Sequence, residues 1–218
     1  MLEYNGVQIK WYGHDTFTLT KDNITICFDP YQLNKNLNAN IVLISHNHFD
    51  HLSIDDLQKV TDEETVIVAA KECLTQITLK CKKLIGISPD EEKELNGFKI
   101  KAVHAYNIDK INPDTKKPFH PKEDNKVGFL ITINNVIFYH TGDSDFISEM
   151  NILKPDVMFV PISGTYVMTA NEAARAVEQI KPKLAIPMHY GSIVGNENDA
   201  KTFKKLVNSC EVQILTKE

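Results

Sequence analysis

Apolar and polar residues alternate in short runs along this 218-residue chain, beginning at Val7-Gln-Ile-Lys-Trp11. A period of two residues marks half-buried strands. Such alternations, or short wholly apolar runs, occupy 7–12, 16–20, 24–28, 41–45, 65–70, 98–104, 127–133, 136–140, 157–161, 184–188 and 212–215. Helical segments interrupt them. Ser53 followed by Asp56 resembles a capping box that opens a short helix to about Val60, and Thr169-Ala-Asn-Glu172 opens a better one. Ala173, Ala174, Ala176, Val177 and Ile180 lie along that second helix and Pro182 ends it; further helices are expected at 196–209 and 72–80. Residues 105–126, with Pro113, Pro118, Pro121, five lysines and four acidic residues, read as one long loop, which in a compact domain is either functional or disordered. Mixed strands with helices at intervals predict two packed sheets flanked by helices, in a single domain over residues 1–218.

Composition adds exclusions. Hydrophobic content of 42% and charged content of 24% are those of an ordinary globular protein. A net charge of −5 argues against a broad electrostatic footprint for nucleic acid. Cys27, Cys73, Cys81 and Cys210 form no Cys-x-x-Cys pair. With Met1 leading directly into strand-like sequence, the unpaired thiols suggest a reducing cytoplasm. No apolar run approaches the roughly 20 residues that span a bilayer.

The candidate chemistry follows the apolar run Ile41-Val-Leu-Ile44. Residues 46–51 read His-Asn-His-Phe-Asp-His. Positions two apart in an extended backbone point the same way, so His46 and His48 can converge on one ion, with Asp50 and His51 facing a second. Imidazole nitrogen and carboxylate oxygen suit zinc, manganese or iron. Asp143, in Gly142-Asp-Ser-Asp145 after the strand ending at His140, is placed to bridge two metals. His189, in Pro187-Met-His-Tyr-Gly191, closes another strand and is the natural terminal ligand of the second ion. Taken singly, Asp143 would be a turn aspartate and His189 a structural histidine.

This order of motifs at strand ends resembles the metallo-β-lactamase superfamily of metal-dependent hydrolases. Trp11-Tyr-Gly-His14 and Phe28-Asp-Pro30 resemble the branch of ascorbate-lactonase-like and N-acyl phosphatidylethanolamine phospholipase D-like proteins. The resemblance implies an α/β fold, a four-layer αββα sandwich of two similar halves. It also implies a binuclear site in which His46 and His48 hold the first metal, Asp50, His51 and His189 the second, and Asp143 bridges. One position departs: Ala105-Tyr-Asn107 places asparagine where relatives have a third histidine for the first metal. His120, His104 and Asn107 itself are the candidates to compensate, with His120 preferred. His14 and Asp29 fit roles orienting the ligands. His140 suits either packing or a polar role, and Gly164-Thr-Tyr-Val-Met168 could line the pocket.

The implied reaction is hydrolysis of a phosphodiester or a (cyclic) ester or lactone by hydroxide held between two divalent ions, Zn²⁺ first, with Mn²⁺ or Fe²⁺ as alternatives. Asp50 would orient the nucleophile and His120 could protonate the leaving group. The expected partner is a small anionic or ester substrate, with a homo-oligomer slightly favoured. A nuclease acting on RNA or DNA, or a metal-poor binding module, is the alternative.

Overall fold

Gln8 is exposed between the buried Val7 and Ile9, as strict alternation requires of a strand with one covered face. The computed structural model describes residues 1–218 and divides into two compact units, Met1–Ser88 with Leu215–Glu218, and Pro89–Ile214.

In the first unit, β1 (Leu2–Tyr4), β2 (Val7–Gly13), β3 (Thr16–Lys21), β4 (Ile24–Phe28), β5 (Ile41–Ile44), β6 (Val66–Ala70) and β7 (Lys83–Ile87) form one seven-stranded sheet in sequence order. The first four pair antiparallel and β4 to β7 pair parallel. Asn5-Gly6 and Asp22-Asn23, all at positive φ, make the tight turns that match strand twist. All four residues of β5 are buried, as a parallel strand covered on both faces demands. Helix α1 (Ile54–Val60) crosses from β5 to β6. Ser53 caps it, while Asp56 turns its carboxylate to the backbone N–H groups of Gln32 and Leu33, at 2.8 and 3.0 Å.

The second unit repeats the plan with β8 (Glu92–Leu95), β9 (Phe98–His104), β10 (Val127–Ile133), β11 (Val136–His140), β12 (Val157–Pro161), β13 (Leu184–Met188) and β14 (Glu211–Val212). Strands β8 to β11 are antiparallel and β11 to β14 parallel. Helix α2 (Ala170–Ile180) joins β12 to β13, carries the full Thr169–Glu172 capping box, and ends on Lys181 at positive φ before Pro182. Helix α3 (Glu197–Leu206) precedes β14.

Three expectations need correction. Residues 72–80 hold only the 3₁₀ turn Lys71–Cys73. Thr75, Ile77 and Thr78 are β-branched and disfavour helix, and Leu74 packs where a side chain on Gly86 would stand. The last strand is Glu211–Val212 rather than 212–215. Residues 105–126 are not a plain loop: Phe119 N–H donates to Lys110 O at 3.0 Å, Asn112 N–H to Lys117 O at 2.8 Å, and Ile111 bridges Pro118. The segment folds back on itself as an irregular hairpin. No helix is long and apolar enough to cross a membrane.

Candidate metal centre

In α/β sheets the loops after parallel strands collect functional groups, because successive strands deliver their C-terminal ends to one edge. Each unit uses that edge. In the first, β5 delivers Ser45 and His46, with His48, Asp50 and His51 on the turn that follows. Asp29, just past the neighbouring strand β4 and at φ 39°, organises them. It accepts from the backbone N–H and the hydroxyl of Ser45, at 2.8 and 2.6 Å, and from His51 Nδ1 at 2.8 Å. Because the Ser45 hydroxyl proton goes to Asp29, Ser45 Oγ is the acceptor for His46 Nδ1 at 2.9 Å. His46 Nε2 then faces His48 Nδ1 at 3.1 Å. His14, itself at φ 50°, sets its Nε2 3.0 Å from Asp50 Oδ2.

In the second unit, Asp143 follows β11 and His189, at φ 59°, follows β13. Asp143 Oδ2 lies 3.2 Å from His120 Nε2 and 3.3 Å from His189 Nε2. His189 Nδ1 meets Ser163 Oγ at 2.9 Å, and that hydroxyl donates onward to Thr165 O at 3.3 Å. His120 Nδ1 meets Asn107 Oδ1 at 2.8 Å. Two residues on from Asp143, Asp145 accepts from the Ile108 N–H at 2.7 Å, and burial pushes its carboxyl above the ordinary range despite that bond and nearby Lys110. Lys110 pairs with Asp109, Asp145 and Glu172. Burial alone would lower its pKa, but the hydrogen bonds it donates to Asp109 and Glu172 raise it well above the usual lysine range.

These contacts bear on whether a metal fits. His46, His51, His120 and His189 each give Nδ1–H to a protein acceptor, which leaves an Nε2 lone pair on the opposite edge of the ring. Two imidazole nitrogens at 3.1 Å, or an imidazole nitrogen at 3.2–3.3 Å from a buried carboxylate oxygen, repel unless a proton or a cation lies between them. Ligands at about 2.0–2.1 Å from a tetrahedral ion stand about 3.3 Å apart. The donor types, the ring orientations and the spacings all suit a divalent cation.

Of the remaining candidates, His104 is half-buried at the end of β9, its ring edge-on to Tyr106 at 6.3 Å, and it joins none of the imidazole–carboxylate contacts. His140 is fully buried and accepts from Gly142 N–H through Nδ1 at 3.3 Å, a structural use. Asn107 is turned to His120 and to Tyr166. Sequence reasoning missed Ser45 and Ser163, common residue types with no signature, and Asp15, which is buried with Oδ2 3.7 Å from His51 Nδ1. The adjacency of Ser45 to His46 is the only sequence signal that could have found any of them.

A family model described as a beta-lactamase superfamily domain matches residues 8–189. The chain belongs to that superfamily. Among its superfamily relatives, a protein of Pyrobaculum islandicum named UPF0173 metal-dependent hydrolase is 30% identical, over 93% of this chain and 92% of its own length. At that identity and coverage the chain is a member of the UPF0173 family. A Lysinibacillus sphaericus protein of the same name is 27% identical over 96% of both chains. A crystal structure from Parabacteroides distasonis superposes with a TM-score of 0.81 at 28% identity, covering 96% of this chain and 94% of that one. The fold class is therefore the metallo-β-lactamase fold, the αββα class expected from the sequence.

Proposed function

We propose that this superfamily member is a hydrolase that cleaves a phosphodiester or a cyclic ester with water activated by two divalent ions, Zn²⁺ by preference. The observation that carries the proposal is the common setting of the four imidazoles, each with Nδ1–H anchored in protein and Nε2 presented as a lone pair. We assign His46, His48 and His120 to one ion, Asp50, His51 and His189 to the other, and Asp143 to both. Metal-dependent hydrolase in the names of the relatives supports the reaction class. The branch resemblance in Trp11-Tyr-Gly-His14 supports lactones and lipid-type phosphodiesters among the substrates to test.

When bound, the ions would lower the pKa of water and polarise the scissile bond. The protein's own part is orientation. His14 Nε2 lies 3.0 Å from Asp50 Oδ2 and fixes how that carboxylate is turned, leaving Oδ1 as the oxygen that would face the ion. His120, its Nδ1–H committed to Asn107, offers only the Nε2 lone pair to the site; as a ligand there it would hold no proton for the leaving group, which would take its proton from water.

Three of the five lysines of the long hairpin are neutralised by acidic neighbours. Lys110, Lys122 and Lys126 pair with Asp109, Glu149 and Asp124 respectively. That favours a small substrate over a polynucleotide. The test is turnover of a chromogenic phosphodiester and of a lactone before chelation, after chelation and after metal return. Activity lost to the chelator and restored by Zn²⁺ or Mn²⁺ is expected; activity indifferent to chelation would overturn the proposal.

A further inference from the structure

Asn107 occupies the place where the resemblance leads one to expect a histidine ligand, yet its backbone N–H and both ends of its side-chain amide are committed to protein. Its backbone N–H donates to His120 O at 2.8 Å. Its side-chain Oδ1 accepts from the His120 backbone N–H at 3.0 Å and lies 2.8 Å from His120 Nδ1. Its Nδ2 donates to Tyr166 O at 3.0 Å. Asn107 is only 4% exposed, so these bonds form away from competing water.

The two ends of an asparagine amide are ordinarily assigned from their partners, and here the partners leave one answer. The His120 backbone N–H can only donate and the Tyr166 carbonyl can only accept. Turning the amide over would set Nδ2 against an N–H and Oδ1 against a C=O, breaking both bonds. Oδ1 therefore faces His120, and the group opposite an amide oxygen at 2.8 Å must donate. His120 carries its proton on Nδ1, and in the neutral ring Nε2 is a lone pair, 3.2 Å from Asp143 Oδ2.

The circuit closes through a second route. Tyr166 sits at φ 70°, a costly conformation for a non-glycine residue, and its ring packs edge-on against Phe119, the neighbour of His120, at 4.7 Å. The Asn107 amide thus ties the turn that precedes α2 to the hairpin that carries His120.

We propose that Asn107 is a positioning residue that fixes the tautomer and orientation of His120, and that it is not itself a metal ligand. The consequence for metal affinity rests on the proposed function; the tautomer does not.

The test is ¹⁵N-histidine spectroscopy of the full chain stripped of metal, well above the ordinary imidazole pKa of about 6.5. The His120 signals are identified by their loss in His120→Gln. Wild type is expected to hold the Nδ1-protonated form. Asn107→Asp, which keeps an acceptor at the same place, should retain it, while increasing amide exchange around Tyr166. Asn107→Ala should give mixed tautomers and bind Zn²⁺ about 10–100-fold more weakly. A wild-type His120 protonated on Nε2, or an Asn107→Ala protein that keeps a single Nδ1-protonated form, would overturn the proposal. The wild-type spectrum decides the tautomer even if Asn107→Ala fails to fold. A protein that binds no Zn²⁺ yet shows the Nδ1 proton would support the positioning role and remove only the metal assignment.

Discussion

Ser163 touches the candidate centre through one atom: its hydroxyl accepts from His189 Nδ1 and donates to Thr165 O. Asp29 does the same work for two residues, holding His51 directly and His46 through Ser45. Loss of such a partner usually costs 10–100-fold in metal affinity, because the ring regains rotational freedom and the wrong tautomer. Ser163→Ala should therefore weaken Zn²⁺ binding by about tenfold or more in competition with a chromophoric chelator. An affinity equal to wild type would mean that His189 needs no such anchor. At this scale the sequence was legible where ligand types cluster, as in residues 46–51, since a strand end fixes where close neighbours point. It was illegible where the partner is remote. Nothing in a lone serine at 163 signals a histidine at 189, and the link between Asn107 and His120 depends on a hairpin that proline-rich sequence disguises.

Element-scale patterns held wherever burial has a period. Strands β2 to β6 and β9 to β13 alternate or are wholly apolar, and they lie where that patterning expects them, to within a residue. Three others escaped notice for physical reasons. β8 reads Glu-Lys-Glu-Leu because an edge strand is protected by charge, β1 has three residues, and β7 carries Gly86 to admit Leu74. A glycine also decides the seam of β10 with β11: a Cβ on Gly128 would lie 2.7 Å from Thr141 O and 2.8 Å from His140 O. Helix α1 depends on Asp56. Burial pushes its carboxyl up, but hydrogen bonds from Lys59, Ser53 and the Leu33 and Gln32 N–H groups outweigh burial and leave its pKa below the ordinary value. A depressed folded-state pKa contributes stability above the unfolded value and loses it as pH falls through the folded one. Asp56→Asn should thus be less stable than wild type by about 1–3 kcal/mol near neutral pH, with the gap narrowing below about pH 4. Urea denaturation across that range checks it; a gap independent of pH would show that the charge is not what stabilises the helix.

The whole molecule repeats one plan twice, four antiparallel strands leading into parallel ones, and each unit brings candidate ligands to the loops after its parallel strands, with His120 added from the hairpin between the antiparallel β9 and β10. That repeat was not visible as sequence similarity, because a fold plan constrains the pattern of burial and not residue identity. The resemblance to the metallo-β-lactamase fold was legible from the order of three short motifs, since their spacing reflects which strands end near chemistry. Substrate was not, because no local pattern encodes the shape of a pocket lined by loops.

The central claim, two metal ions with Asp143 shared between them, is tested most directly by elemental analysis of tag-free protein beside Asp143→Ala. About two equivalents in the wild type, falling to about one or fewer in the variant with turnover lost, is the expected result. A wild type that takes up no divalent metal, or an Asp143→Ala protein that keeps the same content and rate, would contradict it.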